Sequence, residues 1–173
     1  IHNKKKMIFK EINLKLFKEI MKYISDDKNT LSTRTIIAKM NRQFLHVDIF
    51  SNLLIHHSIS PYSCQVVAMY HKDKPRGDFG YFEKKKKLSS FRNAVNIIIK
   101  DEQNNLFNIK LSDKGNFQIS GAKHLDRTYQ AIQYLIELIL HCCPNAIIDT
   151  SSGEPIEISF TTVMTNFIYN SGF

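Results

Sequence analysis

Long apolar runs are missing from this chain, since no stretch approaches the roughly 18 residues that a membrane span needs. A secretory leader is not visible either, because the opening residues IHNKKKMIFKEINL are charged and amphipathic, with no small-residue cleavage site. Cysteine is scarce: Cys64, Cys142 and Cys143 form an odd set with an adjacent pair, which makes a poor disulfide framework. These absences predict an intracellular protein with no membrane partner.

The sequence also lacks P-loop, GxSxG, HExxH and dinucleotide-binding glycine patterns, so we expect neither an enzyme nor a cofactor. Two groups of histidine and cysteine occur, but neither has the CxxC or HxxxH spacing that brings zinc ligands together. They consist of His56, His57, Cys64 and His71, and of His141, Cys142 and Cys143. The spacing therefore predicts no metal site.

The chain has enough apolar content for a core, with 43% hydrophobic and 23% charged residues among 173. That balance suits one compact α+β domain, or one domain with a helical arm.

The formal charge of +8 is unevenly placed: residues 72–100 hold nine Lys or Arg against three acids, and residues 141–173 hold no Lys or Arg. Clustered positive charge favours a polyanionic partner such as nucleic acid, but lysines on an ordinary solvated surface explain it equally well.

Periodicity predicts a series of elements along the chain. An apolar stripe with helical spacing predicts an amphipathic helix over residues 4–25, and residues 71–90, which include four consecutive lysines, read as an exposed loop or long hairpin. Strands are predicted over residues 31–40, 64–70, 91–100, 106–111, 117–121 and 157–169, and further helices over residues 47–58 and 125–141. Antiparallel strands with helices at fixed points favour an α+β sheet that carries its helices on one face.

The segment FRNAVNIIIK…LFNIKLSDKGNFQISGAK, followed by a long helix, resembles one repeat of the TATA-binding-protein family. Gly115 and Gly121 fall at the family's spacing without a gap. The lysine- and asparagine-rich composition, the long insertion and the GNFQISGAK segment are most similar to the divergent TATA-binding-like proteins of large cytoplasmic DNA viruses, of the African swine fever virus type. The resemblance implies a saddle, or helix-grip, fold in which a curved antiparallel sheet carries helices on its convex face.

With the N-terminal amphipathic helical arm that periodicity predicts, the resemblance divides the chain into that arm, one TATA-binding-like repeat and the start of a possible second repeat. These cover residues 1–29, 30–150 with an insertion at 62–90, and 151–173 after a linker. Within the repeat, alternate strand residues should face the helices: Val95, Ile97, Ile99, Phe107, Ile109, Leu111, Phe117 and Ile119. The remaining ones should face DNA: Arg92, Ala94, Asn96, Ile98, Asn108, Lys110, Ser112, Gln118 and Ser120. Lys123 is the expected phosphate contact.

Two of those positions depart from the family pattern, because Arg92 and Ser112 stand where the family places the phenylalanines that wedge between base steps. A polar face can still hold phosphates and base edges, so we expect double-stranded promoter DNA as the partner, without strong kinking. The expected role is a transcription factor that helps to assemble viral initiation complexes, with RNA polymerase or other factors as partners. The host cytoplasm, or otherwise the nucleus, is its expected location.

Two alternatives stay open. The first is a protein-interaction module with the same fold that has lost DNA binding, and the second is a substrate-binding domain of a nucleic-acid enzyme. Pairing of two copies into a homodimer is also left open, since one repeat forms only half of a saddle.

Overall fold

A computed structural model describes residues 8–9, 30–82, 92–148 and 155–168. The elements are β1 (Ile8–Phe9), β2 (Thr30–Met40), β3 (Gln43–Phe44), α1 (His46–Asn52), β4 (Cys64–His71), β5 (Lys74–Gly77), β6 (Ala94–Asp101), β7 (Leu106–Ser112), β8 (Asn116–Ala122), α2 (Leu125–Cys142), β9 (Ile147–Ile148) and β10 (Glu157–Ile168). Eight of these strands form one sheet in the order β1-β10-β2-β8-β7-β6-β4-β5, and every neighbouring pair is antiparallel except β1 and β10. The expected α+β class is confirmed.

Strands β6, β7 and β8 form two successive hairpins, as the alternation of their residues predicts. Their register places Ile97 beside Ile109 and Ile109 beside Ile119, so that one row of side chains crosses all three strands on a single face. All eight positions expected to face the helices are buried in one core with α2. The inward stripe of that helix includes Ile132, Leu135, Ile136 and Ile139. Each fully buried aliphatic side chain contributes about 1.5–3 kcal/mol.

Gly115 closes the turn between β7 and β8 in a way that no other residue allows. Its φ is +78°, and an added Cβ would lie 2.1 Å from the carbonyl oxygen of Arg42 and 2.8 Å from that of Met40. The Met40 amide in turn donates to the Gly115 carbonyl at 2.8 Å. The turn is therefore packed directly against the end of β2, and this contact fixes where β8 meets β2.

Gly121 supplies an extra residue in β8. Opposite β2, Thr35 pairs with Ser120 and Arg34 pairs with Ala122, so Gly121 is left over as a bulge. A bulge reverses the side on which the following residues lie. Ala122 consequently joins the helix-covered core, and the chain is directed into α2.

Helix α1 is shorter than the predicted span of 47–58, because it ends at Asn52. Leu53 is already extended, and the guanidinium of Arg76 donates to the carbonyl oxygens of Phe50 and Leu53. Free carbonyls at a helix end need a partner, and here a side chain from β5 supplies one. The sequence prediction missed this because Arg76 lies 23 residues beyond Leu53.

One other segment differs from the sequence prediction. Ile8 and Phe9 form a strand instead of part of the predicted helix over residues 4–25, and the rest of that helix lies outside the described residues. The predicted strand over residues 64–70 is confirmed as β4, an interior strand of the sheet between β6 and β5, and β5 turns back on it through Pro75 and Arg76, within the span predicted as a loop or long hairpin. Residues 83–91, which contain the four consecutive lysines, are also outside the described part.

In the parts of the chain that the structure covers, no helix has the length and apolar character that crossing a membrane would require.

Candidate nucleic-acid surface

We use the name open face for the side of the large sheet opposite α1 and α2. The helix-covered side is fixed by the buried positions of each strand, such as Ile36 and Ala38 on β2, and the alternate residues belong to the open face. The strand register aligns these residues in rows. One row runs Tyr70, Asn96, Lys110, Gln118, Ile37 and Thr161, and a second runs Ala68, Ile98, Asn108, Ser120, Thr35 and Met164.

Five of the sequence-predicted site residues lie together on β7 and β8. Asn108, Lys110 and Ser112 are half-buried on β7, while Gln118 and Ser120 are exposed on β8. Lys110 pairs with Gln118, and Asn108 with Ser120, so the two strands present one continuous patch.

The open face carries little charge where it is exposed. None of the residues in the two rows is acidic, and the basic residues are Lys110 and, beyond the first row on β2, Lys39. Burial lowers the pKa of Lys110 below the ordinary lysine value. The surface is thus built from hydroxyls, amides, apolar groups and the ammonium groups of Lys110 and Lys39.

Arg92 and Lys123 lie at the margins of this patch. Arg92 is exposed just before β6, and its carbonyl oxygen accepts a hydrogen bond from Nε2 of His46 at 2.9 Å. Lys123 is exposed just after β8, and its carbonyl oxygen accepts a hydrogen bond from Nη1 of the buried Arg34 at 3.4 Å. Both backbone positions are held by the fold, while both side chains extend into solvent.

Asn96 differs from the sequence expectation, because it is only 7% exposed although it was placed on the DNA-facing side. Ala94 and Ile98 on the same strand are also buried. The Nδ2 atom of Asn96 is buried without a hydrogen-bond partner. This part of the open face therefore offers no free surface to a duplex.

The reason is an aromatic cluster on the open face of β4 and β6. Phe82 and the half-buried Tyr81 pack there against four strand residues, namely Val67, Ala68, Tyr70 and Ile98. The rings of Tyr70 and Phe82 meet edge to face, with 5.6 Å between their centroids. The signal that sequence reasoning overlooked is the unbroken apolar run in β4, which is typical of a strand covered on both faces.

The histidine and cysteine groups do not converge on a site. His71 is buried and its Nδ1 bonds to the carbonyl of Ala94, His56 contacts Asp78, and His57 stacks on His141. Burial raises the pKa of Cys64 and of Cys143 to about 11, so both thiols stay protonated and unreactive at neutral pH. Among residues 8–9, 30–82, 92–148 and 155–168, no group of three or more His, Cys, Asp or Glu has a metal-holding arrangement.

Comparison of the chain with protein-family models, with curated proteins and with solved structures found no match.

Proposed function

We propose that this chain is a TATA-binding-like transcription factor domain that binds double-stranded DNA through the open face of its sheet. The observation that carries the proposal is the exposed patch on β7, β8, β2 and β10. Its two aligned rows contain uncharged hydrogen-bonding side chains, apolar side chains and Lys110, and no carboxylate, whereas Lys39 and, at the start of β10, Glu157 lie outside those rows. A carboxylate in such a patch would repel phosphates, and apolar residues alone would give no hydrogen bonds to base edges.

The arrangement of elements supports the same proposal. The family resemblance expects a strand, a short helix, a run of antiparallel strands with a glycine turn and a long helix, followed by the first strand of a second repeat. In this chain β10 follows α2 and pairs antiparallel with β2 along nearly its whole length. A twofold axis perpendicular to a sheet relates two neighbouring strands that run antiparallel. The antiparallel pair β2 and β10 therefore suits the junction between two such repeats.

The proposed mechanism is non-catalytic. Gln118 and Ser120 offer hydrogen bonds to the acceptors of the minor groove, whose code distinguishes mainly A·T from G·C pairs. Lys39, Lys110 and Lys123 neutralise phosphates on either side. Since neither Arg92 nor Ser112 is an apolar wedge, little offsets the few kcal/mol that unstacking a base step costs, and the duplex stays without a strong kink. In this proposal, α1 and α2 are left to recruit polymerase or other transcription factors.

The experiment is a titration of labelled duplex DNA at several salt concentrations, read by fluorescence anisotropy. We expect a linear fall of log affinity with log salt, with a slope near −0.9 for each phosphate neutralised. Lys39→Ala should reduce that slope by about one, while the matched change Lys74→Ala on β5, at the far edge of the sheet, should leave it unchanged. Absence of binding at about 50 mM salt would reject the proposal.

A protein-interaction module is the second candidate, and one observation favours it. Four large apolar side chains are exposed around α1 and β9, on the helix-covered side of the molecule: Leu45, Val47, Leu54 and Ile148. A group of exposed apolar side chains marks a surface that a partner protein can cover. This candidate gains support if the duplex titration shows no binding.

A further inference from the structure

The open face is divided into two unequal parts. The exposed part consists of β7, β8, β2 and β10, and the covered part consists of β6 and β4 beneath the aromatic turn, by which we mean residues 77–82. Phe82 is 7% exposed, and Ile98 beneath it is 6% exposed. A duplex that rested on β6 would first have to displace these rings.

The aromatic turn is anchored where it leaves β5. Gly77 has a φ of +90°, and an added Cβ would lie 2.4 Å from the carbonyl oxygen of Val67. The backbone at Gly77 therefore approaches β4 more closely than a residue with a side chain would permit. The Asp78 amide donates to the same Val67 carbonyl at 2.9 Å, and the Asp78 carboxylate contacts Nε2 of His56 at 3.0 Å. The turn is thus tied both to β4 and to the segment after α1.

The turn is also closed at its other end. The Phe82 amide donates to the carbonyl oxygen of Phe79 at 2.8 Å, and the Phe82 side chain packs on the sheet. Phe79 itself is 63% exposed, so it takes no part in the buried cluster. The aromatic turn therefore has a buried end at Phe82 and an exposed tip at Phe79.

The exposed part of the face is wide enough for a DNA groove. Four strands spaced about 4.8 Å apart present a surface roughly 19 Å across. A minor groove is about 6 Å wide, which leaves space for both flanking phosphate backbones. A duplex on these strands can therefore be accommodated without contact with β6 or β4.

We propose that the aromatic turn is a fixed boundary of the DNA surface: the duplex contacts β7, β8, β2 and β10 and stops at the turn. This inference rests on the proposed function. It assigns Tyr81 and Phe82 to the limit of the footprint rather than to base contacts. It also predicts that Asn96, although it lies in a DNA-facing row, makes no contribution to binding, because it is buried.

The test compares three variants that each add one negative charge at an exposed position. Gln118→Glu lies in the exposed patch, Phe79→Glu lies on the aromatic turn, and Val47→Glu on α1 is the control for net charge. At about 0.15 M salt the screening length is about 8 Å, so each added charge acts locally. We expect Gln118→Glu to weaken duplex affinity by about tenfold or more, and Phe79→Glu to match Val47→Glu within about twofold.

Loss of affinity in Phe79→Glu comparable to that in Gln118→Glu would overturn the boundary, since it would place the turn inside the interface. If Gln118→Glu weakened duplex affinity no more than the control Val47→Glu, or if the unaltered chain did not bind duplex, the DNA-binding face itself would be rejected and the boundary with it. Hydrogen exchange gives a second measurement on the unaltered chain with and without duplex. We expect slower exchange in β7 and β8 and no change in residues 78–82, whereas faster exchange in the turn would show that DNA displaces it.

Discussion

Lys110 occupies the middle of an open-face row, between Asn96 on one side and Gln118 on the other. Burial lowers its pKa, which means that folding disfavours the protonated amine. The corresponding stability is present above the ordinary pKa of 10.5 and is lost as the pH falls, so the charged form costs stability at neutral pH. A lysine whose charged form is disfavoured by burial and which faces the proposed ligand is suited to a binding role.

We therefore expect Lys110→Met to separate stability from binding. At pH 7 the free energy of unfolding should stay the same or rise, while duplex affinity falls and the salt slope decreases by about 0.9. Denaturant melts and anisotropy titrations on the same preparation measure the two quantities. A parallel loss of stability and affinity would instead make Lys110 a structural residue.

Asn96 is the second informative single residue, because its buried Nδ2 has no hydrogen-bond partner. A buried donor without a partner costs about 1–3 kcal/mol, and an apolar side chain of the same size avoids that cost. Asn96→Leu should raise the free energy of unfolding by about 1 kcal/mol, with duplex affinity unchanged. Asn108→Leu, on the same face but half-buried, is the control that should bring no such gain, and a loss of stability in Asn96→Leu would contradict this account.

At the scale of elements, Tyr134 joins α2 to the segment between α1 and β4. Its hydroxyl donates to the His57 carbonyl at 2.6 Å and accepts from the Val66 amide at 3.2 Å, and the side chain is fully buried. Burial is the main reason why its pKa is raised to about 12. One hydroxyl thus bonds to two backbone groups at the edge of the core, one as donor and one as acceptor.

Tyr134→Phe removes both hydrogen bonds while it keeps the ring. We expect a loss of about 1–3 kcal/mol in the free energy of unfolding, together with faster hydrogen exchange at the Val66 amide. Tyr62→Phe is the matched control: its hydroxyl donates to Glu137 at 2.8 Å, but the residue is half-exposed, so water can replace the lost bond. Equal losses in the two variants would show that burial of the hydroxyl is not what matters.

The elements also show what the sequence could predict. Strands β6 to β8 and helix α2 follow from periods of 2 and 3.6, and from Gly115 and Pro144, which lie in the sequence itself. Local pattern could not predict the end of α1, because Arg76 provides it from a distant strand. The two-residue strands β3 and β9 are too short to have a period. The cover over the open face of β6 includes Phe82, which packs in one cluster with Ile98 only in the folded chain.

Over the whole molecule, the sheet order brings together residues that are distant in sequence. Gln118 lies between Lys110 and Ile37, and Thr161 follows Ile37 in the same row. The resemblance gave the face of each residue in β6, β7 and β8, and the burial of the helix-facing set confirms that part. The contribution of β2 and β10 to the candidate surface comes from tertiary pairing that no local pattern specifies, and its proposed limit depends on the aromatic turn as the element that covers the apolar run of β4.

The helix-covered core forms one cluster, and its cysteines provide a probe of whether it unfolds as a unit. Cys64 on β4 and Cys143 at the end of α2 both belong to that cluster, while Cys142 is half-buried. Burial raises the pKa of the first two from the ordinary 9.0 to about 11. Their contribution to stability is therefore present below pH 9 and lost as the pH rises through about 11.

At pH 8 we expect a thiol reagent to modify only Cys142 in the native chain. Cys64 and Cys143 should become reactive together, at one denaturant midpoint, because a single core unfolds cooperatively. The variant Cys142→Ser should show no rapidly reacting thiol in the native state, which identifies the fast site. Mass spectrometry after pulse labelling measures each cysteine separately. If Cys143 reacted at a lower denaturant concentration than Cys64, the end of α2 would open independently of the sheet, and the surface that α2 supports would belong to a separate unit of stability.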